Sequence, residues 1–356
     1  MSNYHNDSSG ISRITGCLLG TAAGDAIGLP FEGMSPRRIA KFGIPPLRHR
    51  LLFGNGMISD DSEHACMVAQ CLISSGKNPQ RFASHLAWRM RWWVAALPAG
   101  IGLGTLRAMI KLWLGFNANH SGVFTAGNGP MMRSGIIGVA CADDINRMQE
   151  LVTISTRITH TDPRADRAAF IIAWAASLAS QSKPITAEQL TEVLPGLIEY
   201  DEELETLIRE AVDSAQRNET AMAFCQRTGM HKGVSGYCYT TLKVVLQVCL
   251  RYPDDFQQAM TEIVQCGGDT DTVAAIAGSI IGAGVATEGI PADWIGHIRE
   301  WPRSIDWITR LANQLAEHQQ QVTRPVSVFY PFALVHNLLF MLLVLTHGFR
   351  RLLPPY

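Results

Sequence analysis

An all-α fold is what this 356-residue sequence predicts. Apolar residues recur at helical spacing along most of the chain, and period-two runs are nearly absent. Small residues also repeat every four positions in two separate stretches, which marks helices that approach each other closely.

The elements follow in chain order. After an N-terminal extension (1–10), Gly16, Gly20 and Gly24 share one face of a first helix. Each glycine in an isolated helix costs about 1 kcal/mol relative to alanine, so such a row belongs at a close helix–helix contact. Phe82, Leu86, Met90, Trp93 and Leu97 form the apolar stripe of a later helix. LVTIST at 151–156 alternates like a strand, but a lone strand cannot satisfy its backbone, so it does not change the fold class. Further stripes are Leu204, Leu207, Ile208 and Ala211, then Leu242, Val245, Leu246 and Cys249. Ala274, Gly278 and Gly282 repeat the small-residue row, and Trp307, Leu311 and Leu315 close the pattern. No linker or solenoid repeat divides residues 11–322, which are expected to form one compact domain. A hydrophobic tail follows at 323–356.

The net charge of −1 and a pI near 6.8 give no broad basic field, so no nucleic-acid partner is expected. The eight cysteines contain no CxxC and sit mostly in apolar runs, which suits free thiols in a reducing compartment. The first residues show no basic segment leading into an apolar stretch, so a cytoplasmic protein is expected.

Two acidic clusters carry more oxygen than helix starts need. SDDSE at 59–63 offers Ser59 or Asp60 as an N-cap, and Asp60 with Glu63 has capping-box spacing, yet Asp61 is left over. GGDTDT at 267–272 repeats the excess with Asp269 and Asp271. If the two starts converge, Asp60, Asp61, Asp269 and Asp271 join the hydroxyls of Ser59 and Thr272 in a hard-oxygen cage. Glu32 in GDAIGLPFEG adds a fifth carboxylate, and five negative charges against two dications leave about −1, an acceptable balance for a dinuclear site. Oxygen ligation without convincing histidine or cysteine partners selects Mg²⁺ or Mn²⁺ over zinc.

GCLLGTAAGDAIGLPFEG, ISDDSEHA, GIGLGT, AGNGPMMR, THTDPRA, GVSGY and GGDTDTVAAIAGSIIGA occur in an order that resembles the ADP-ribosylglycohydrolases, over roughly residues 11–310. The resemblance implies an all-α hydrolase with a binuclear Mg²⁺ or Mn²⁺ centre that removes ADP-ribose from a modified protein side chain, arginine above all. It implies that Ser59, Asp60, Asp61, Asp269, Asp271 and Thr272 are the metal ligands. Glu32, Asp60 or Asp61 would be the catalytic acid–base group. Gly100, Gly102 and Gly104, with Gly127, Asn128 and Gly129, would cradle the ADP-ribose, and His160, Asp162 and Tyr237 would border it. Three places depart from the family pattern: Ser59 stands where the family usually has threonine, keeping the oxygen and losing a methyl, Thr240 stands where many members have aspartate, and residues 117–126 lack an acid before the GNG loop. The implied partners are an ADP-ribosylated protein and a cognate ADP-ribosyltransferase, such as a toxin, whose action the chain would reverse. The alternative is a chain that binds ADP-ribose, or neutralises a transferase, without hydrolysis.

The family pattern does not reach the tail, where residues 325–349 contain no Asp, Glu, Lys or Arg. That length suits a membrane anchor, but Pro331, His336 and Asn337 interrupt it. The alternatives are a homodimer seam, a helix packed on the domain and an interfacial helix with Arg350 and Arg351 at the headgroups.

Overall fold

Seventeen α-helices form, and no β-sheet, in the residues described by the computed structural model, namely 4–41, 44, 46–181, 185–192, 201–317 and 322–350. The first group is α1 (Tyr4–Gly28), α2 (Pro36–Ala40), α3 (Asp60–Ser75), α4 (Pro79–Ala95), α5 (Leu103–Trp113) and α6 (Gly135–Ala140). Next come α7 (Ile145–Arg157), α8 (Pro163–Ser180), α9 (Ala187–Glu192), α10 (Glu202–Gln216), α11 (Ala221–Arg227) and α12 (Cys238–Arg251). The chain continues through α13 (Phe256–Cys266), α14 (Thr270–Val285), α15 (Ala292–Gly296), α16 (Ile305–Glu317) and α17 (Tyr330–Arg350). The LVTIST segment lies inside α7, as the all-α reading requires.

Capping side chains start many of these helices. Asn78, Asp144, Asp162, Asp201, Thr220 and Asp255 each accept a backbone N–H from the first turn, satisfying a donor the helix itself leaves open.

The two small-residue rows meet each other. A Cβ on Gly16 would stand 2.2 Å from the Gly282 carbonyl, one on Gly20 2.2 Å from that of Gly278, and one on Gly24 2.2 Å from that of Ala274. Helices α1 and α14 therefore run antiparallel at backbone contact, with hydrogen atoms where other residues carry methyl groups. At the end of the pair, Thr270 Oγ1 donates to the Gly28 carbonyl at 2.9 Å. The register places the C-terminal end of α1 against the N-terminal end of α14. Helices α3, α8 and α16 pack around this pair, with Val68, Ile172 and Ile308 fully buried in the same apolar core. All eight cysteines are buried free thiols.

The tail is neither detached nor wholly buried. One side of α17 packs on the domain through Ala333, His336, Asn337 and Phe340. Phe340 joins Leu29, Leu51, Met57 and Ala99 in a small apolar cluster separate from the main core.

Candidate active site

Three helix ends converge: the C-terminal end of α1 and the N-terminal ends of α3 and α14. Helix N-termini carry partial positive charge, which makes them favourable seats for carboxylates. Asp25, on α1, fixes the first junction. Its Oδ2 accepts from the Ser59 amide at 2.8 Å, the Ser62 amide at 3.2 Å and the Ser62 hydroxyl at 2.5 Å. Ser59 is the N-cap of α3, with its Oγ accepting from the Asp61 amide. Glu63 does not close a capping box; it is drawn inward to Trp93 Nε1 at 2.6 Å and to Arg303.

The loop before α14 is held differently. Gly268 donates to the Met34 carbonyl, Gly33 donates to the Gly268 carbonyl, and Asp269 donates to the Val234 carbonyl, all between 2.7 and 2.9 Å. Gly268 has φ +83°, and a Cβ there would stand 2.0 Å from Val234 O, so glycine is required. These backbone bonds set Glu32 and the 233–236 turn beside Asp269. Asp269 itself makes no side-chain cap bond; its carboxylate accepts from Asn128 Nδ2 at 2.7 Å.

The result is a cavity of about 630 Å³. Glu32, Ser59, Asp60, Asp269, Asp271 and Thr272 line it, as do Gly100, Gly102, Gly104, Gly127, Asn128, Gly129 and His160. No lysine or arginine is among the lining residues that the structure describes. Asp61 lies directly behind: its Oδ2 accepts from Thr272 Oγ1 and from Ser59 Oγ, each at 3.2 Å, tying the two helix starts together. Asp61 Oδ1 and Asp271 Oδ1 are buried without a hydrogen-bond partner.

Burial, then the neighbouring carboxylates, push Asp60, Asp61 and Asp271 well above the usual carboxylate range. Burial pushes Asp25 up to about 7 against the pull of its serine bonds. Such a group resists full ionisation unless positive charge enters. The all-oxygen donor set and the two orphan oxygens fit divalent cations. Among the described residues, however, no three Asp, Glu, His or Cys side chains are gathered closely enough to hold one ion as they stand.

The glycine-rich wall is organised around His160. A Cβ on Gly127 would stand 2.8 Å from His160 Nε2, one on Gly129 3.2 Å from its Cε1, and one on Gly104 3.4 Å from Nε2. The GNG loop and the first turn of α5 thus close on one imidazole. His160 Nδ1 bonds Thr159 Oγ1 at 2.8 Å, and burial beside Arg133 lowers its pKa to about 3, so the ring is neutral.

Arg133 holds the wall from behind. Fully buried, it donates to Ser155 Oγ and O, Thr159 Oγ1 and the Gly129 carbonyl, and it bonds His64 Nδ1. It knits the GNG loop to the end of α7. Sequence reading passed over both Arg133 and Asp25; each is a lone charge in an apolar run, MMRSGIIG and TAAGDAIG, and that was the available signal.

Tyr237, like Asp162, is an expected contact whose side chain the structure does not bring to the cavity. Its backbone bridges Gly127, but its hydroxyl donates to Glu203 at 3.0 Å and Arg164 lies over its ring. The ring lines a neighbouring hollow with Glu202, Glu203, Tyr239 and Lys243. Thr240, the departure from the family pattern, faces that hollow too and bonds the Tyr237 carbonyl. Asp162 serves as the cap of α8 and pairs with Arg164. Two residues that line the cavity came from outside every expectation: Phe340 and Val344 of the tail helix.

An all-α fold in which acids from the starts of α3 and α14 and Glu32 from the loop after α1 share one cavity with a glycine-rich wall has the make-up of a hydrolytic site rather than of a structural bundle, and the comparisons agree. The sequence profile of the ADP-ribosylglycohydrolase family matches residues 6–325. The chain belongs to the ADP-ribosylglycohydrolase family, and is a glycohydrolase acting on ADP-ribosylated targets. It is 26% identical to the ADP-ribosyl-[dinitrogen reductase] glycohydrolase of Rhodospirillum rubrum, over 84% of this chain and 96% of that one. It is 24% identical to ADP-ribosylarginine hydrolase Tri1 of Pseudomonas putida, over 90% and 82%. A solved structure titled as an ADP-ribosylglycohydrolase-related protein complex superposes with a TM-score of 0.62 at 25% identity, covering 88% of this chain and 99% of that one.

Proposed function

We propose that the chain hydrolyses the glycosidic bond between mono-ADP-ribose and an arginine side chain, with divalent cations held at the acidic side of the cavity. The observation that carries this reading is the lining itself: four carboxylates, Glu32, Asp60, Asp269 and Asp271, and no cationic side chain. A pyrophosphate entering such a cavity needs backbone amides and metal charge, since no lysine or arginine waits for it. A guanidinium leaving group is cationic, and a carboxylate-rich lining favours it over a neutral alcohol. A relative named for ADP-ribosylarginine supports the linkage.

Ser59, Asp60, Asp61, Asp269, Asp271 and Thr272 would hold the cations, which when bound supply Lewis acidity toward the ribose hydroxyls. The chain's own residues do the rest. The glycine wall admits the substrate backbone-close, and neutral His160 keeps the GNG loop and the start of α5 apart without adding charge. Glu32 or Asp60 accepts a proton from the attacking water. The C1″–N bond breaks, the water oxygen takes its place at C1″, and the proton passes to the departing nitrogen.

The test is release of free ADP-ribose from an arginine-ADP-ribosylated protein with Mg²⁺, with Mn²⁺ and with EDTA, using the wild type, Asp60→Ala and Asp271→Ala. Release that needs metal and is lost in both variants supports the proposal. Tight ADP-ribose binding with no release overturns it.

A further inference from the structure

We propose that α4, α5 and α17 together form a docking face for an anionic lipid bilayer. The charge pattern comes first. Between Glu63 and Asp143 there is no Asp or Glu, while seven lysines and arginines occur, in a chain whose overall charge is −1. None of the three helices contains an acid.

Their outer surfaces are also apolar and aromatic. Trp88 and Trp113 are more than half exposed. The rings run on from one helix to the next: Trp88 to Trp92 at 5.8 Å, Trp92 to Trp113 at 5.9 Å, and Trp92 to Tyr330 of α17 at 6.2 Å. Along α17, Phe332, Val335, Leu339, Leu342, Leu345 and Phe349 are exposed. Contiguous exposed apolar surface of this kind marks an interaction site, and tryptophan and tyrosine beside Arg91, Arg107 and Lys111 is the composition that settles at headgroup depth.

The occupant follows from the charge. A second copy seated on this face would set arginine and lysine against arginine and lysine with no acid on any of the three helices to pair them. An anionic bilayer supplies both the negative headgroups and the hydrocarbon edge. The helix lies on that surface and does not cross it. At 21 residues it is about 31 Å long, enough to span, but its inner side is fastened to the domain. Asn337 Nδ2 donates to the Ala96 carbonyl at 2.8 Å, and His336 pairs with Glu300 at 2.7 Å. Because Leu103 at the start of α5 and Phe340 and Val344 of α17 also line the cavity, docking sets that side of the cavity against the membrane. The inference does not depend on which linkage the site cleaves.

The experiment is co-sedimentation of the full chain with phosphatidylcholine vesicles and with vesicles that also contain phosphatidylglycerol. Binding to the mixed vesicles only, weakened by salt, is expected. Arg107→Glu, an exposed position away from the cavity, should weaken it about fivefold. Leu339→Glu with Leu342→Glu should abolish it, while hydrolysis of a soluble ADP-ribosylated protein continues. Failure of the wild type to sediment with anionic vesicles overturns the proposal. So does sedimentation equilibrium showing a soluble dimer that the double variant dissolves, which would assign the face to a second copy.

Discussion

The acidic and apolar sides of the cavity are built by opposite means. On the acidic side, α1 and α14 meet at backbone contact, α3 is tied to them through Asp25 and Asp61, and the carboxylates are fixed by helix register and by loop-to-loop hydrogen bonds. On the apolar side, Phe340 and Val344 arrive from a tail helix that holds the domain through four buried residues and shows much of its surface to solvent. Chemistry that tolerates little displacement sits on the first, and what borders the substrate's entry sits on the second. Rigid placement is thus concentrated where charges must be held together against their own repulsion.

The sharpest way to break the first side is Gly20→Ala. The added methyl would meet the Gly278 carbonyl, a backbone atom with no rotamer to yield, so destabilisation of about 3 kcal/mol is expected in a denaturant titration. If the variant is as stable as wild type, the close-contact account of the acidic side fails.

Arg133→Met tests the wall that joins the two sides. It removes a buried guanidinium from two carbonyls, two hydroxyls and an imidazole, leaving acceptors unpaired at a cost of about 2–3 kcal/mol. ADP-ribose affinity, measured by calorimetry, should fall with it, because the Gly129 carbonyl loses its anchor. Unchanged affinity in a destabilised protein would confine Arg133 to stability.

Phe340→Ala sharpens the contrast from the other side. The acidic groups stay in place, so kcat should hold while KM rises several-fold, about 1 kcal/mol of lost uniform binding. A fall in kcat with KM unchanged would mean that the tail helps place the reacting groups.

The smallest effect is a pH dependence of tail docking. Burial lowers the His336 pKa, but Glu300 raises it further, so the net shift is upward; Glu300 is itself raised, chiefly by burial. A group whose folded pKa is raised contributes stability that is present below its unfolded value and fades as pH climbs through the folded one. Amide exchange in α17, corrected for its intrinsic pH dependence, should therefore be slowest below about pH 6.5 and speed up above it. His336→Gln should flatten that profile.

Much of the acidic side was legible in the sequence. An excess of oxygens at SDDSE and GGDTDT, and two rows of small residues, are local patterns with local meanings: helix starts over-provided with carboxylates for the first, close helices for the second. The helical stripes were equally readable because periodicity is a property of neighbours along the chain. Asp25 and Arg133 escaped because most of their partners lie far away in sequence, at Ser59 and Ser62 for one and at His64, Ser155 and Thr159 for the other. Tyr237 shows the reverse: its backbone bridges Gly127 of the cavity wall, but the direction of its ring is set by Glu203 and Arg164, which no spacing reveals.

By itself, then, the sequence determined the all-α fold, two helices built for close approach and the acids at helix starts, since these depend on spacing and residue type alone, while the structure decided that the two small-residue rows pack on each other. Only the tertiary structure decided that the 325–349 tail folds back as the apolar side of the cavity, with Asn337 and His336 turned inward and its leucines outward. A uniformly apolar helix has no preferred face of its own, and the side it buries is chosen by the polar atoms waiting on the domain, here the Ala96 carbonyl and the Glu300 carboxylate.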